Sequence, residues 1–160
     1  MSCLTNLGAR VIGSHALSMP FLLCNDDYHG MVRPLKILCI DDDPDIRTAA
    51  AMALALDPAM VVRAAVSGSE AVALLRSDAW RPDGILLDVM MPEMDGPATL
   101  AAIRALGGYA DLPVIFMTAR ARRSDIAGYT ALGADGVIVK PLDPMHLASD
   151  VRFLVEGRRR

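Results

Sequence analysis

From Leu35 onward, short apolar runs alternate with stretches whose apolar positions recur every three or four residues, and the alternation repeats five times. Leu35–Ile40 reads as a strand, followed by Asp43 as a helix cap with Pro44 at the first helical position and a helix to about Asp57. Met60–Val66 is the second strand, and the second helix runs from Gly68 to about Ala79 with Val72 and Leu75 on one face. Asp83–Leu87 follows as a third strand. The helix over Pro97–Leu106 is capped by Asp95, turns Leu100, Ile103 and Leu106 inward, and is stopped by Gly107-Gly108. Leu112–Met117 is a fourth strand. The helix over about Ser124–Leu132 is weaker because it carries Gly128. Gly136–Val139 closes the set of strands, and a last helix from about Pro144 to Glu156 has Leu147, Val151 and Leu154 as its apolar stripe. Five such units predict an α/β fold: a doubly wound five-stranded parallel sheet with helices on both faces. Right-handed crossovers put all the carboxyl ends of its strands on one rim, where such sheets bind ligands.

Residues 1–33 break this rhythm. They show no sustained period and end in the polar cluster Asn25-Asp26-Asp27-Tyr28-His29-Gly30, so they are expected to be an N-terminal extension outside the fold, or a stretch preceding a natural start at Met31. The folded unit is then 34–157, with 158–160 a basic tail. With 53% hydrophobic and 22% charged residues, the chain can bury a substantial core. A net charge of −3 gives no electrostatic footprint for nucleic acid. No run reaches the roughly 18 apolar residues of a membrane-spanning helix. Cys3, Cys24 and Cys39 lack metal spacing; Cys39 lies in an apolar run and reads as a buried small hydrophobe, which suits a reducing cytoplasm.

The rim set is short. The first strand delivers Asp41 and Asp42, the third Asp88, the fourth Thr118 and the fifth Lys140. Carboxylates that converge repel one another, and a divalent cation relieves the repulsion. All-oxygen ligation without thiol or imidazole suits Mg²⁺ better than zinc. With the charge partly neutralised, one aspartate oxygen can attack a phosphoryl group. The equatorial oxygens of that group then need Mg²⁺, the Lys140 ammonium and the Thr118 hydroxyl as partners. Taken singly, each residue has a plainer reading: Asp41-Asp42-Asp43 as acids at a helix start, Thr118 as an ordinary strand end, Lys140 as a solvated lysine.

Taken together, the segments resemble a known family. Leu38-Cys39-Ile40-Asp41-Asp42-Asp43-Pro44-Asp45-Ile46-Arg47 and Asp88-Val89-Met90-Met91-Pro92-Glu93-Met94-Asp95-Gly96 are similar to the opening and the phosphorylation-site segments of bacterial response-regulator receivers. Val114 to Ala119, and Gly133-Ala134-Asp135-Gly136 leading to Lys140-Pro141, complete the pattern from about Leu35 to Leu154. The gaps are 46 residues from Asp42 to Asp88, 30 more to Thr118 and 22 more to Lys140. The resemblance implies the flavodoxin-like strand order 2-1-3-4-5. It implies Asp88 as phosphoacceptor, Mg²⁺ held by Asp42 and Asp88, by Asp41 through water and by the Met90 carbonyl, Thr118 as switch hydroxyl and Lys140 as the phosphate-pairing cation. A cis Lys140-Pro141 bond is common in relatives.

Implied partners are a sensor histidine kinase or histidine phosphotransfer protein as donor and a downstream protein target, with the chain a monomer or weak homodimer. The 20 residues after Lys140 hold the last helix and leave no room for an effector domain, so a stand-alone receiver is expected. Two rivals stay open. One is an interaction module that works without phosphorylation. The other is a hydrolase with an aspartyl-phosphate intermediate, which calls for a second acid two residues after the nucleophile, where Met90 stands. The chain also departs from the family at Val137: many receivers carry Tyr or Phe three residues before the lysine. Met90 and Arg120 stand where relatives tune hydrolysis of the phosphoryl group.

Overall fold

The computed structural model of the chain describes residues 33–77, 80–120 and 122–158. Strands and helices alternate: β1 (Leu35–Ile40), α1 (Pro44–Leu54), β2 (Met60–Ala65), α2 (Gly68–Arg76), β3 (Gly84–Asp88), α3 (Gly96–Arg104), β4 (Val114–Thr118), α4 (Arg123–Ala131), β5 (Gly136–Val139) and α5 (Leu147–Gly157). The strands form one parallel sheet in the order β2-β1-β3-β4-β5, the flavodoxin-like order that the resemblance implied.

Alternation at period two sorts each strand's side chains onto two faces. Leu38, Ile40, Ile85, Leu87, Val114 and Phe116 pack with Ala71 and Leu75 of α2 and with Leu100 and Ile103 of α3. Ile37, Cys39, Leu86, Ile115 and Met117 pack on the other face with Ala50, Ala53 and Leu54 of α1 and with Leu147, Val151 and Val155 of α5. Burial on both faces is why β3 and β4 read as unbroken apolar runs.

The caps follow the sequence. The Asp43 carboxylate accepts the amides of Asp45 and Ile46 at the start of α1, and Asp95 accepts the Ala98 amide at 2.8 Å at the start of α3. Gly108, at φ +86°, takes the left-handed turn beyond α3. Several boundaries move inward. α1 ends at Leu54 rather than Asp57, because the Leu56 and Asp57 amides turn back onto the carbonyls of Ala53 and Leu54. α2 ends at Arg76, where the Ser77 hydroxyl donates to the Leu74 carbonyl. The last helix starts at Leu147 rather than Pro144, since the Asp143 carboxylate holds the Met145 amide and closes a turn first. Its buried seam is Leu147, Val151 and Val155, a strict four-residue spacing; Leu154 is only partly buried, against Gly136.

The expected extension over 1–33 lies, Arg33 apart, outside the described residues; Arg33 ion-pairs with the buried Asp83. Among the described residues, no helix is long and apolar enough to cross a membrane.

Candidate functional site

β1 and β3 end side by side, with Ile40 opposite Leu87. Asp41 and Asp88 therefore leave neighbouring strands at the same level, and the two-residue alternation turns both toward the α1–α5 face. Lys140 follows Ile138 on that same face of β5, and its ammonium donates to Asp41 Oδ2 and to Asp88 Oδ1, at 2.7 Å each. Asp41 and Asp88 are 1% and 5% exposed, while Asp42 is open to solvent. One carboxylate oxygen from each of Asp41, Asp42 and Asp88 lies within 4.8 Å of the other two.

The surrounding backbone fixes these acids. The Asp43 amide donates to Asp41 Oδ1 at 2.9 Å, and the Met90 amide donates to Asp88 Oδ2 at 3.0 Å. Thr118 closes β4 almost fully buried, its hydroxyl oxygen accepting the Arg120 amide at 3.0 Å. The Met90 side chain points outward and is 65% exposed. The peptide bond before Pro141 is cis.

Burial raises the Asp88 carboxyl above the usual carboxylate range, and the charge of Asp41 adds to that; the hydrogen bond and charge of Lys140 and the Met90 amide pull the other way without cancelling it. Burial works against the Lys140 ammonium too, but its two carboxylate partners outweigh burial and raise its pKa. Just below the rim, burial and then the charge of Asp41 push the Cys39 thiol up to about 12, so it stays protonated and inert. Three carboxylates against one ammonium leave two negative charges uncompensated. A hard divalent cation fits that deficit and that oxygen donor set.

Two supporting residues carried no assignment from sequence. Arg47 on α1 donates from Nη1 to the Asp41 carbonyl at 2.7 Å, tying the helix to the acidic loop; its place one turn past the Asp43 cap was the available signal. Gly96 donates its amide to the Val89 carbonyl. A Cβ there would stand 2.6 Å from the Asp88 carbonyl oxygen and 2.8 Å from Val89 Cα. Only glycine lets the start of α3 come this close behind Asp88.

The family model for the response regulator receiver domain matches residues 37–152. The chain belongs to this family. Among curated relatives, the response regulator MprA of Mycolicibacterium vanbaalenii is 38% identical over 123 residues, which are 76% of this chain and 51% of that protein. The transcriptional regulatory protein PrrA of Mycobacterium leprae is 36% identical over 124 residues, 77% of this chain and 51% of its own. This receiver chain thus spans about half the length of the curated relatives it matches. Among solved structures, the chemotaxis protein CheY4 of Vibrio cholerae superposes with a TM-score of 0.68 at 31% identity, covering 75% of this chain and 98% of that one. The signal receiver domain of a signal transduction histidine kinase from Syntrophus aciditrophicus gives 0.64 at 32% identity, with 78% and 92% covered.

Proposed function

We propose that this receiver accepts a phosphoryl group on Asp88 from the phosphohistidine of a sensor kinase or phosphotransfer protein. It then signals by docking on a downstream protein or passes the phosphoryl group onward. The observation that carries this reading is the meeting of Asp41, Asp42 and Asp88 oxygens within 4.8 Å at a rim where Lys140 bridges two of them.

In the proposed step, an Asp88 carboxylate oxygen forms a bond to phosphorus as the phosphorus–nitrogen bond of the donor breaks, and the departing imidazole keeps the bonding pair and takes up a proton. The Lys140 ammonium, already beside Asp88, pairs with one equatorial oxygen. The Thr118 hydroxyl donates to another. Asp42, Asp88 and the Met90 carbonyl, with Asp41 beside them, would hold Mg²⁺, which when bound would neutralise charge on those oxygens. The Met90 amide and the Asp43 amide hold the two buried carboxylates in place throughout.

Residues 34–157 are the proposed folded unit, and coverage of 98% of the chemotaxis protein's chain supports a receiver fold of those bounds. Acetyl phosphate with Mg²⁺ should add the mass of one phosphoryl group to the chain and none to an Asp88→Asn variant. An unmodified wild-type chain would promote instead an interaction module that ignores phosphate.

A further inference from the structure

We infer that Tyr129 on α4 is the positioning residue through which the state of Asp88 is read at the protein surface, in place of the aromatic residue that β5 lacks; the inference rests on the phosphoacceptor role proposed for Asp88. Phe116 lies two residues before Thr118 on β4, so the two side chains share one face of the sheet. On one side, the Phe116 ring backs onto Gly96. A Cβ at Gly96 would meet Phe116 Cε1 at 3.1 Å as well as the Asp88 carbonyl oxygen at 2.6 Å. The phenyl ring, the start of α3 and the backbone of the phosphoacceptor are therefore packed without spare volume, and displacement of one is felt by the others.

On its other side Phe116 meets Tyr129, with ring centroids 5.4 Å apart and planes at 70°, the edge-to-face geometry that aromatic quadrupoles favour. Val137 is the residue that β5 places in register with Phe116, and two methyl groups are all it contributes there. The ring beside Phe116 comes from α4.

Little else fastens α4. It buries no residue, and its N-cap, Arg122, makes no side-chain bond to the helix. Gly128 faces open space, and Tyr129 is the α4 side chain that packs against the apolar core. A helix attached through one ring contact shifts with that ring, whereas a helix attached through a buried seam does not. Phosphorylation that moves Thr118 or the Asp88 loop is thus passed through Phe116 and Tyr129 to α4.

The test uses the full chain with Mg²⁺ and beryllofluoride, a stable phosphoryl mimic, followed by NMR. Shifts of the Met90 and Arg120 amides report loading at Asp88. Shifts of the Tyr129 ring protons and of the amides of residues 123–131 report the relay. The wild type should show both sets, Tyr129→Phe should keep both because the contact does not use the hydroxyl, and Tyr129→Leu should keep loading while losing the α4 response. An α4 response in Tyr129→Leu equal to wild type overturns the relay, as does wild-type loading that leaves the Tyr129 ring signals unmoved, a measurement that needs no variant. A wild type that never loads overturns the phosphoacceptor reading and the relay with it; loading without an α4 response overturns the relay alone.

Discussion

α1 and α5 on one face of the sheet and α4 on the other border the same rim, but they are attached to it in different ways. α1 buries Ala50, Ala53 and Leu54, α5 buries Leu147, Val151 and Val155, and the ion pair of Asp57 with Arg152 joins the turn after α1 to α5. α4 buries nothing and rests on Tyr129 against Phe116. The residues placed at the site divide along the same line. Asp41, Asp88 and Lys140 extend the strand alternation of the α1–α5 face, and Thr118 that of the α4 face. The charged cluster thus stands on a flank packed too tightly to follow small changes. The Thr118 hydroxyl stands over a flank held by little burial, which suits the phosphorylation-dependent output proposed above.

The largest expected effect sets the two flanks against each other. Leu54 is fully buried on α1, and Leu54→Ala should cost about 2–5 kcal/mol by loss of burial plus a cavity. Leu132, just after α4, is exposed, and Leu132→Ala should stay within about 0.5 kcal/mol. Urea unfolding monitored by circular dichroism measures both. Equal losses would remove the distinction between the flanks.

Next comes the charge at the rim. The folded-state pKa of Asp88 is raised, so between its unfolded and folded values the native state binds more protons than the unfolded chain. Stability therefore falls as pH rises through that window, and the deficit persists at neutral pH. Without Mg²⁺, Asp88→Asn should stabilise the protein at pH 7 by about 1 kcal/mol or less, since Lys140 and the Met90 amide offset part of the burial penalty, and the gain should vanish at acid pH below the window. Mg²⁺ should raise the Tm of the wild type and raise that of Asp88→Asn much less. Thermal scans at several pH values, with and without the ion, check the sign. Destabilisation by Asn at neutral pH would mean that Lys140 compensates Asp88 fully.

Much of this was legible in the chain before any coordinates. The strands were plain because β3 and β4 are buried on both faces and so carry no polar alternation to confuse the reading. The rim acids were visible because each sits at the end of such a run, and the caps because Asp43-Pro44 and Asp95-Gly96-Pro97 carry local chemistry that fixes a helix start. Helix ends were harder, since the Ala55 cap rests on backbone bonds that any residue makes. The four-residue seam ending at Val155 instead of Leu154 depended on how α5 rolls against Gly136. Arg47 on the Asp41 carbonyl, the missing room at Gly96 and the ring of Tyr129 beside Phe116 are contacts between elements, and hydrophobic period within one element does not encode them.

Gly128 sharpens the contrast from the side of α4. Its backbone is helical and a Cβ there meets nothing within 4 Å. Gly128→Ala should therefore stabilise the protein by about 0.5–1 kcal/mol, by lowering the entropy of the unfolded chain and improving helix propensity. Hydrogen exchange of the amides of residues 123–131 should slow by a comparable free energy, while that of α1 stays unchanged. If exchange in α4 does not slow, opening of this helix is governed by the aromatic contact rather than by its own backbone.

The smallest expected effect lies on the firm flank. Arg152 donates from Nε and Nη2 to Asp57 Oδ2 at 3.0 and 2.7 Å and from Nη1 to Glu156 at 2.9 Å. Burial opposes ionisation of Asp57, but the hydrogen bond from Arg152 and the Ala59 amide outweigh it and lower its pKa. A depressed folded-state pKa means that the contribution is present above the unfolded value and is lost as pH falls through the folded one. Both partners remain about a quarter exposed, so a double-mutant cycle of Arg152→Ala and Asp57→Asn should give a coupling of only about 0.2–1 kcal/mol at neutral pH, weakening with salt and disappearing in acid. The firmness of the α1–α5 flank then comes from its apolar seam, with the ion pair only tying the turn after α1 to α5. A coupling well above that range would shift the cause to the charges, and the two flanks would differ in electrostatics rather than in burial.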